Sequence, residues 1–115
     1  GELENIITAI PNIAESAVVG KPDKIKGEVP VAFVVLKKSK SQNKVKKEVN
    51  SQVLQGIGPI ALIKEVFIVR DLPKTRSGKI MRRILKRLFT GEALGDLSTL
   101  ANPESVEVIK ETIKK

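Results

Sequence analysis

Residues 29–36 read Val-Pro-Val-Ala-Phe-Val-Val-Leu, the longest apolar stretch in the chain. Apolar side chains stand at both odd and even positions, so a strand formed here must be covered on both of its faces. Pro30 lies near the start of the stretch, where a missing backbone N–H is least costly. The stretch therefore predicts the central strand of a small sheet, with other elements packed above and below it.

Two shorter apolar runs, residues 17–20 and 66–69, predict the other strands. The first leads to a predicted Lys-Pro-Asp turn at residues 21–23, and a second tight turn is expected at residues 26–28. Residues 37–44 are polar and predict a loop. Three short strands and four helical segments favour an α+β domain. We expect a small, mainly antiparallel three-stranded sheet covered by helices.

Apolar residues at helical spacing predict four helices. The first is expected to end at Pro11, and the second, which follows the loop, to close at Gly56. A third is predicted over residues 80–88, and a fourth after Asn102-Pro103. Between the last two, residues 91–102 are expected to wrap around the domain in extended form.

Composition limits the chemistry that this chain can perform. Its 115 residues suffice for one small domain. It has no cysteine and no histidine, which excludes Ser-His-Asp and Cys-His catalysis and the common zinc sites. No apolar run is long enough for a membrane span or a signal-peptide core, so no membrane partner is expected, and cytoplasmic localisation fits.

The charge balance points to an anionic partner. The net charge is +8, from 21 Lys and Arg against 13 Asp and Glu. Nucleic acid, acidic headgroups and the phosphates of small molecules all suit such a surface. Residues 74–87 contain seven cations and no acid, which keeps a nucleic-acid-binding module as the alternative from another functional class. Only three aromatic residues are available to stack on bases, and therefore no nucleic-acid partner is expected.

Residues 73–83, Pro-Lys-Thr-Arg-Ser-Gly-Lys-Ile-Met-Arg-Arg, place five cations around a Ser-Gly turn. The run is predicted to begin with a small hairpin, flanked by a strand before it and a helix after it. Gly78 gives the turn backbone freedom. The run is not a phosphate-binding P-loop, because the first glycine is missing and Ile80 stands where Ser or Thr must follow the lysine. The arrangement indicates a lysine that is presented to an anion bound elsewhere.

The same run carries a family resemblance. Residues 72–80 resemble the last core motif of the adenylate-forming enzymes, which include the acyl-CoA synthetases. Four further segments are similar to the C-terminal domain of the AMP-forming acetyl-coenzyme A synthetases: residues 14–23, 25–28, 57–59 and 95–103. The resemblance implies that residues 1–115 form a single C-terminal lid domain. Glu2 looks like the glutamate just after the family's hinge, so the hinge and the N-terminal ATP- and acid-binding domain are expected to lie outside this sequence.

The resemblance implies Lys79 as the catalytic residue of an acetate–CoA ligase, with Arg76, Ser77 and Gly78 as its supporting motif. Joining a carboxylate to the α-phosphate of ATP brings two anions together. A fixed cation between them lowers that barrier, and lysine is a compact charge on a flexible stem. The alternative is a solvated lysine at a helix start. The resemblance also implies regulation by acylation of Lys79, which would remove its charge, with a lysine acetyltransferase and a deacetylase as candidate partners.

A second face is implied for coenzyme A, formed by Lys26, Gly27 and Glu28. In this family the domain closes one face for adenylation and then rotates to present the other for thioester formation. Family members often carry an arginine for the coenzyme A phosphate where this chain has Leu54. The candidates to replace that arginine are Lys46, Lys47 and Lys64.

The resemblance also implies a metal bound by backbone carbonyls, which would fall on Thr8, Ile10 and Ile13; an ordinary helix end is the alternative. ATP with Mg2+ and coenzyme A are expected in the full-length enzyme, with none bound tightly to this domain alone. The isolated domain is expected to be inactive. Propionate, a longer acid or loading of a carrier protein remain alternatives to acetate, although residues 95–103 favour acetyl or propionyl.

Overall fold

The computed structural model describes residues 1–115 as a three-stranded sheet with helices on both faces. The strands β1 (Ile13–Asp23), β2 (Gly27–Leu36) and β3 (Glu65–Ile68) lie in the order β1-β2-β3. β2 pairs antiparallel with β1 and parallel with β3, so the sheet is mixed. The four helices are α1 (Glu2–Thr8), α2 (Gln42–Gly56), α3 (Arg82–Thr90) and α4 (Glu104–Lys114), and Pro59–Ala61 forms a short 3-10 turn. The predicted α+β class is confirmed. No helix combines the length and the apolar character needed to cross a bilayer.

The central strand β2 is buried on both faces, as its sequence predicts. Ala32 and Val34 face a cluster that includes buried residues of α1 and α2. Val31 and Phe33 face the opposite cluster, to which α3 and α4 contribute Leu85 and Ile109. The domain therefore has three layers, with the sheet between two pairs of helices.

Aromatic packing fixes α3 against the sheet. The ring of Phe33 stacks on that of Phe67 with centroids 5.3 Å apart, and Phe89 of α3 lies 5.9 Å from Phe33. Because α3 directly follows the Ser-Gly turn, this packing sets where the turn emerges from the domain.

The first strand extends beyond its predicted limits. The turn expected at residues 21–23 is wrong, since Lys21 and Pro22 pair with Val29 and Glu28 of β2. β1 is an edge strand, where a proline lacking its N–H is tolerated. The reversal occurs at residues 24–26 instead, where the Asp23 carboxylate accepts hydrogen bonds from the backbone N–H groups of Ile25 and Lys26.

Two helices begin at residues other than those predicted. α2 starts at Gln42, because the Ser41 hydroxyl caps it by accepting from the Lys44 N–H, and the predicted loop is correspondingly shorter. α3 starts at Arg82 rather than at residue 80. Ile80 instead forms an isolated antiparallel bridge with Lys74. The predicted hairpin is therefore not a pair of strands but a turn closed by one bridge.

We expect Phe33→Ala to lower the free energy of unfolding by about 3–5 kcal/mol, because it removes a fully buried ring that contacts both β3 and α3. Urea unfolding of the 115-residue chain measures this. Ile25→Ala is the control, since Ile25 is 94% exposed and should change stability by less than about 0.5 kcal/mol. Equal losses in the two variants would contradict the layered core.

Candidate functional site

The turn that carries Lys79 is organised by one residue, Thr75. Its carbonyl accepts from the Gly78 N–H (2.9 Å), and its own N–H donates to the Lys79 carbonyl (2.9 Å). Its hydroxyl accepts from the Lys79 N–H (3.2 Å) and lies 3.0 Å from the Ser77 hydroxyl. Gly78 has φ +91°, a conformation that other residues rarely adopt. These bonds close the turn around residues 76–78, and they fix the backbone of Lys79.

The Lys79 side chain is exposed, and its ammonium group makes no hydrogen bond or ion pair within the chain. It does not lie at a helix start, as the sequence suggested, because α3 begins three residues later at Arg82. The supporting residues Arg76, Ser77 and Gly78 are exposed in the same turn. The structure thus presents Lys79 outward on a short, hydrogen-bonded support.

Most neighbouring cations are engaged inside the domain. The Lys74 ammonium lies 2.6 Å from a Glu15 oxygen and 3.4 Å from Asp71. The hydrogen bond to Glu15 is the main cause that raises the pKa of Lys74, and the charges of Glu15 and Asp71 add to it. Together they outweigh the opposite effect of partial burial. Lys86 is paired with Glu28, and Arg87 donates to the Ala93 carbonyl. The basic segment is therefore not a continuous free surface, and nucleic-acid binding is not favoured.

Glu4 of α1 connects three elements through one carboxylate. Both of its oxygens accept from the guanidinium of Arg82, through Nε at 2.8 Å and through Nη2. One of them also accepts from the Val18 N–H of β1 at 2.7 Å. Burial alone would raise the pKa of Glu4, but the hydrogen bonds from Arg82 and Val18 outweigh it and hold the pKa below its ordinary value of 4.5. The start of α3 is thereby fixed to α1 and β1.

A second candidate surface lies on the β1–β2 hairpin and α2. Lys26, Glu28, Lys46 and Lys64 line one groove of about 410 Å³. Lys46 also lines an adjacent groove of about 580 Å³ together with Lys47 and Leu54. The structure therefore brings the predicted coenzyme A residues Lys26 and Glu28 together with two of the candidates to replace the missing arginine. Gly27 is the first residue of β2, directly after the turn, and has φ +83°.

The three carbonyls predicted to bind a metal lie at the corner between α1 and β1. Thr8 ends α1, Ile13 begins β1, and the Ile10 carbonyl accepts from the Ile13 N–H at 3.0 Å. No group of three or more Asp, Glu, His or Cys side chains is placed to hold a metal ion. A cation here would rest on backbone oxygens, one of which already has a hydrogen-bond partner. The metal site stays a prediction.

Comparison with known proteins identifies the family. Residues 2–79 match the family described as the AMP-binding enzyme C-terminal domain, and the matched segment ends at the exposed lysine of the turn. The chain belongs to this family. Relatives of the AMP-binding C-terminal domain are found both among curated sequences and among solved structures.

The acetyl-coenzyme A synthetase of Pyrobaculum aerophilum is 54% identical over 110 residues, covering 95% of this chain and 16% of that protein. The 3-hydroxypropionyl-coenzyme A synthetase of Metallosphaera sedula is 42% identical, covering 100% of this chain and 17% of that protein. The crystal structure of Brucella canis acyl-CoA synthetase superposes with a TM-score of 0.74 at 31% identity, covering 78% of this chain and 17% of that chain. This chain spans about one sixth of the curated relatives that it matches.

Three residues of the site were not identified from the sequence: Thr75, Glu4 and Asn102. Thr75 lies inside the basic motif, but its hydrogen bonds follow from the turn geometry. Glu4 and Asn102 act on residues far away along the chain, Arg82 and Lys74 respectively. Periodicity carries no signal for such long-range polar pairs.

We expect Glu4→Gln to lower the free energy of unfolding by about 2–3 kcal/mol at pH 7, because Arg82 loses its charged partner. Glu4 has a depressed pKa in the folded state, so its contribution is complete above its unfolded pKa and disappears as pH falls through the folded one. The difference in the free energy of unfolding between wild type and Glu4→Gln should therefore shrink from about pH 4.5 downward.

Urea unfolding at pH 7 and at pH 3 measures that difference. Glu2→Gln is the control, since Glu2 is exposed on the same helix and makes no ion pair. A loss of stability independent of pH, or one matched by Glu2→Gln, would contradict the assignment.

Proposed function

We propose that this chain is the mobile C-terminal domain of an AMP-forming acetate–CoA ligase, in which Lys79 is the catalytic cation of adenylate formation. The observation that carries the proposal is the unpaired, outward-facing ammonium of Lys79 on a turn whose backbone is fixed by Thr75 and Gly78. The similarity to acetyl-coenzyme A synthetases over almost the whole chain supports it.

In the first half-reaction a carboxylate oxygen of acetate attacks the α-phosphorus of ATP. The bond to the β-phosphate oxygen breaks, and pyrophosphate leaves with that electron pair. Negative charge builds on the oxygens around phosphorus, and a cation held between carboxylate and phosphate stabilises it more than it stabilises the ground state. Arg76 and Arg83 also lack partners in this domain and are available to contact phosphates or the acidic surface of a partner domain.

In the second half-reaction the thiol of coenzyme A attacks the acyl carbon of acetyl-adenylate, forming acetyl-CoA and releasing AMP. We assign the groove lined by Lys26, Glu28, Lys46 and Lys64 to this step, with Gly27 at the start of β2 between Lys26 and Glu28. Lys46 is the best placed replacement for the arginine missing at Leu54, because it lines both this groove and the adjacent groove that contains Leu54. Rotation of the domain between the two half-reactions would present the two surfaces in turn.

The groups that bind ATP and the acid are assigned to an N-terminal domain of the same polypeptide, which is joined to this domain through a hinge. That domain would hold ATP with its Mg2+ and the acid, and the full-length protein would act in the cytoplasm. Selection of the acid would also take place there. A relative named for 3-hydroxypropionyl-coenzyme A keeps a synthetase for propionate or another acid as the alternative.

In the full-length enzyme, Lys79→Ala should slow acetyl-adenylate formation by roughly 10²–10³-fold, the usual cost of removing one contact to a transition state. Thioester formation from supplied acetyl-adenylate should change little, because that step uses the other surface. Pyrophosphate release and acetyl-CoA formation measure the two half-reactions separately. Lys110→Ala, which removes an exposed lysine of α4 without an ion-pair partner, should leave both unchanged. An equal fall of both half-reactions in Lys79→Ala would exclude the proposed role.

Acetylation of Lys79 should switch the enzyme off, because it replaces the exposed ammonium by a neutral amide. Full-length protein with acetyl-lysine incorporated at residue 79 should lose adenylation and keep thioester formation, and enzymatic deacetylation should restore the activity. Protein acetylated at residue 110 is the control. Full adenylation activity in quantitatively acetylated protein would reject this regulation.

A further inference from the structure

The turn that carries Lys79 is held at its base by a segment beyond the matched family region. Residues 95–103, here named the strap, form the second part of the connection between α3 and α4. Within the strap, Leu100 forms an antiparallel bridge with Thr75, and the Ala101 N–H donates to the Lys74 carbonyl at 2.8 Å. The strap therefore runs beside one side of the turn, opposite the bridge between Lys74 and Ile80.

The side-chain amide of Asn102 makes the most specific of these contacts. Its Oδ1 accepts from the Lys74 N–H at 2.9 Å, and its Nδ2 donates to the Leu72 carbonyl at 2.7 Å and to the Asp71 carboxylate at 2.8 Å. The acceptor and both donor hydrogens of the amide are thus used. Asn102 holds the backbone on both sides of Pro73, where the chain leaves the sheet and enters the turn.

Asn102 is itself attached to rigid parts of the domain. Its carbonyl accepts from the N–H (3.0 Å) and the hydroxyl (2.7 Å) of Ser105 in the first turn of α4. The nearby strap residue Leu100 is buried: it is 3% exposed and clusters with Ile84 of α3 and Val106 of α4. Through these contacts, the packed helices α3 and α4 fix the position of the strap and with it the base of the turn.

We propose that Asn102 is a positioning residue for Lys79, and that the strap sets where the lysine tip points. This inference rests on the proposed function, because it assigns a role in placing the catalytic cation. Lys74 and Ile80 are bridged, so a shift at Lys74 also moves Ile80, the residue directly after Lys79. A displacement of about 1 Å in a positioned group can cost about 100-fold in rate. Positioning of this kind affects adenylation alone, whereas loss of folded protein affects both half-reactions.

The test compares two asparagines in the full-length enzyme. Asn12 is a matched control, because its amide also bridges a backbone N–H and carbonyl, those of Lys38 at 2.9 and 3.0 Å, and Lys38 is not part of the turn. Asn102→Ala should lower the kcat of adenylation roughly 10- to 100-fold with little change in the KM for acetate or ATP. It should spare thioester formation from supplied acetyl-adenylate. Asn12→Ala should leave both half-reactions unchanged.

Hydrogen exchange of the peptide that covers residues 73–81 provides a second readout. Exchange should accelerate in Asn102→Ala and stay at the wild-type rate in Asn12→Ala. If Asn102→Ala does not fold, Asn102→Asp takes its place, because it keeps the acceptor for Lys74 and loses the donors to Asp71 and Leu72. Equal effects of the two asparagine variants, or equal loss of both half-reactions, would overturn the inference. An unchanged Asn102→Ala enzyme beside an inactive Lys79→Ala enzyme would reject the strap's role and leave the proposed function intact.

Discussion

An unpaired ammonium inside a strongly basic segment is the constraint on which this domain depends. In the proposed function Lys79 must reach a bound anion, so it cannot be neutralised by a carboxylate of its own chain. Carboxylates lie nearby, yet they are occupied: Glu15 and Asp71 by Lys74, and Glu4 by Arg82. These ion pairs strengthen the support of the turn and leave Lys79 free, since each nearby acid already has a cation.

The support has to be rigid because the lysine side chain is flexible. The sheet provides the first level of rigidity through a central strand buried on both faces. Leu72 follows β3 and is fully buried, which holds the start of the turn against the sheet. Asn102 fixes the backbone at the same point. Thr75 then organises the turn, and Gly78 takes the backbone conformation that closes it. Each level restricts the next, so the freedom that remains at Lys79 is that of its side chain.

Local patterns in the sequence predict much of this arrangement. The apolar stretch of residues 29–36 predicts β2 and its burial on both faces, because every position in it must avoid water. The helical pattern predicts a start of α3 that is two residues too early, because Ile80 satisfies the pattern but its backbone forms a bridge with Lys74. Pro22 suggested a turn, yet it lies in an edge strand that tolerates it. The contacts of Glu4 and Asn102 depend on the tertiary fold, which no local pattern describes.

The central claim is that the Lys79 ammonium contacts the reacting anions. A crystal structure of the full-length protein with acetate and a non-hydrolysable ATP analogue tests it most directly. We expect the Lys79 nitrogen within about 2.7–3.2 Å of an α-phosphate or carboxylate oxygen, with the bonds from Thr75 intact. A closed complex in which another cation occupies that position, while Lys79 points into solvent, would contradict the account.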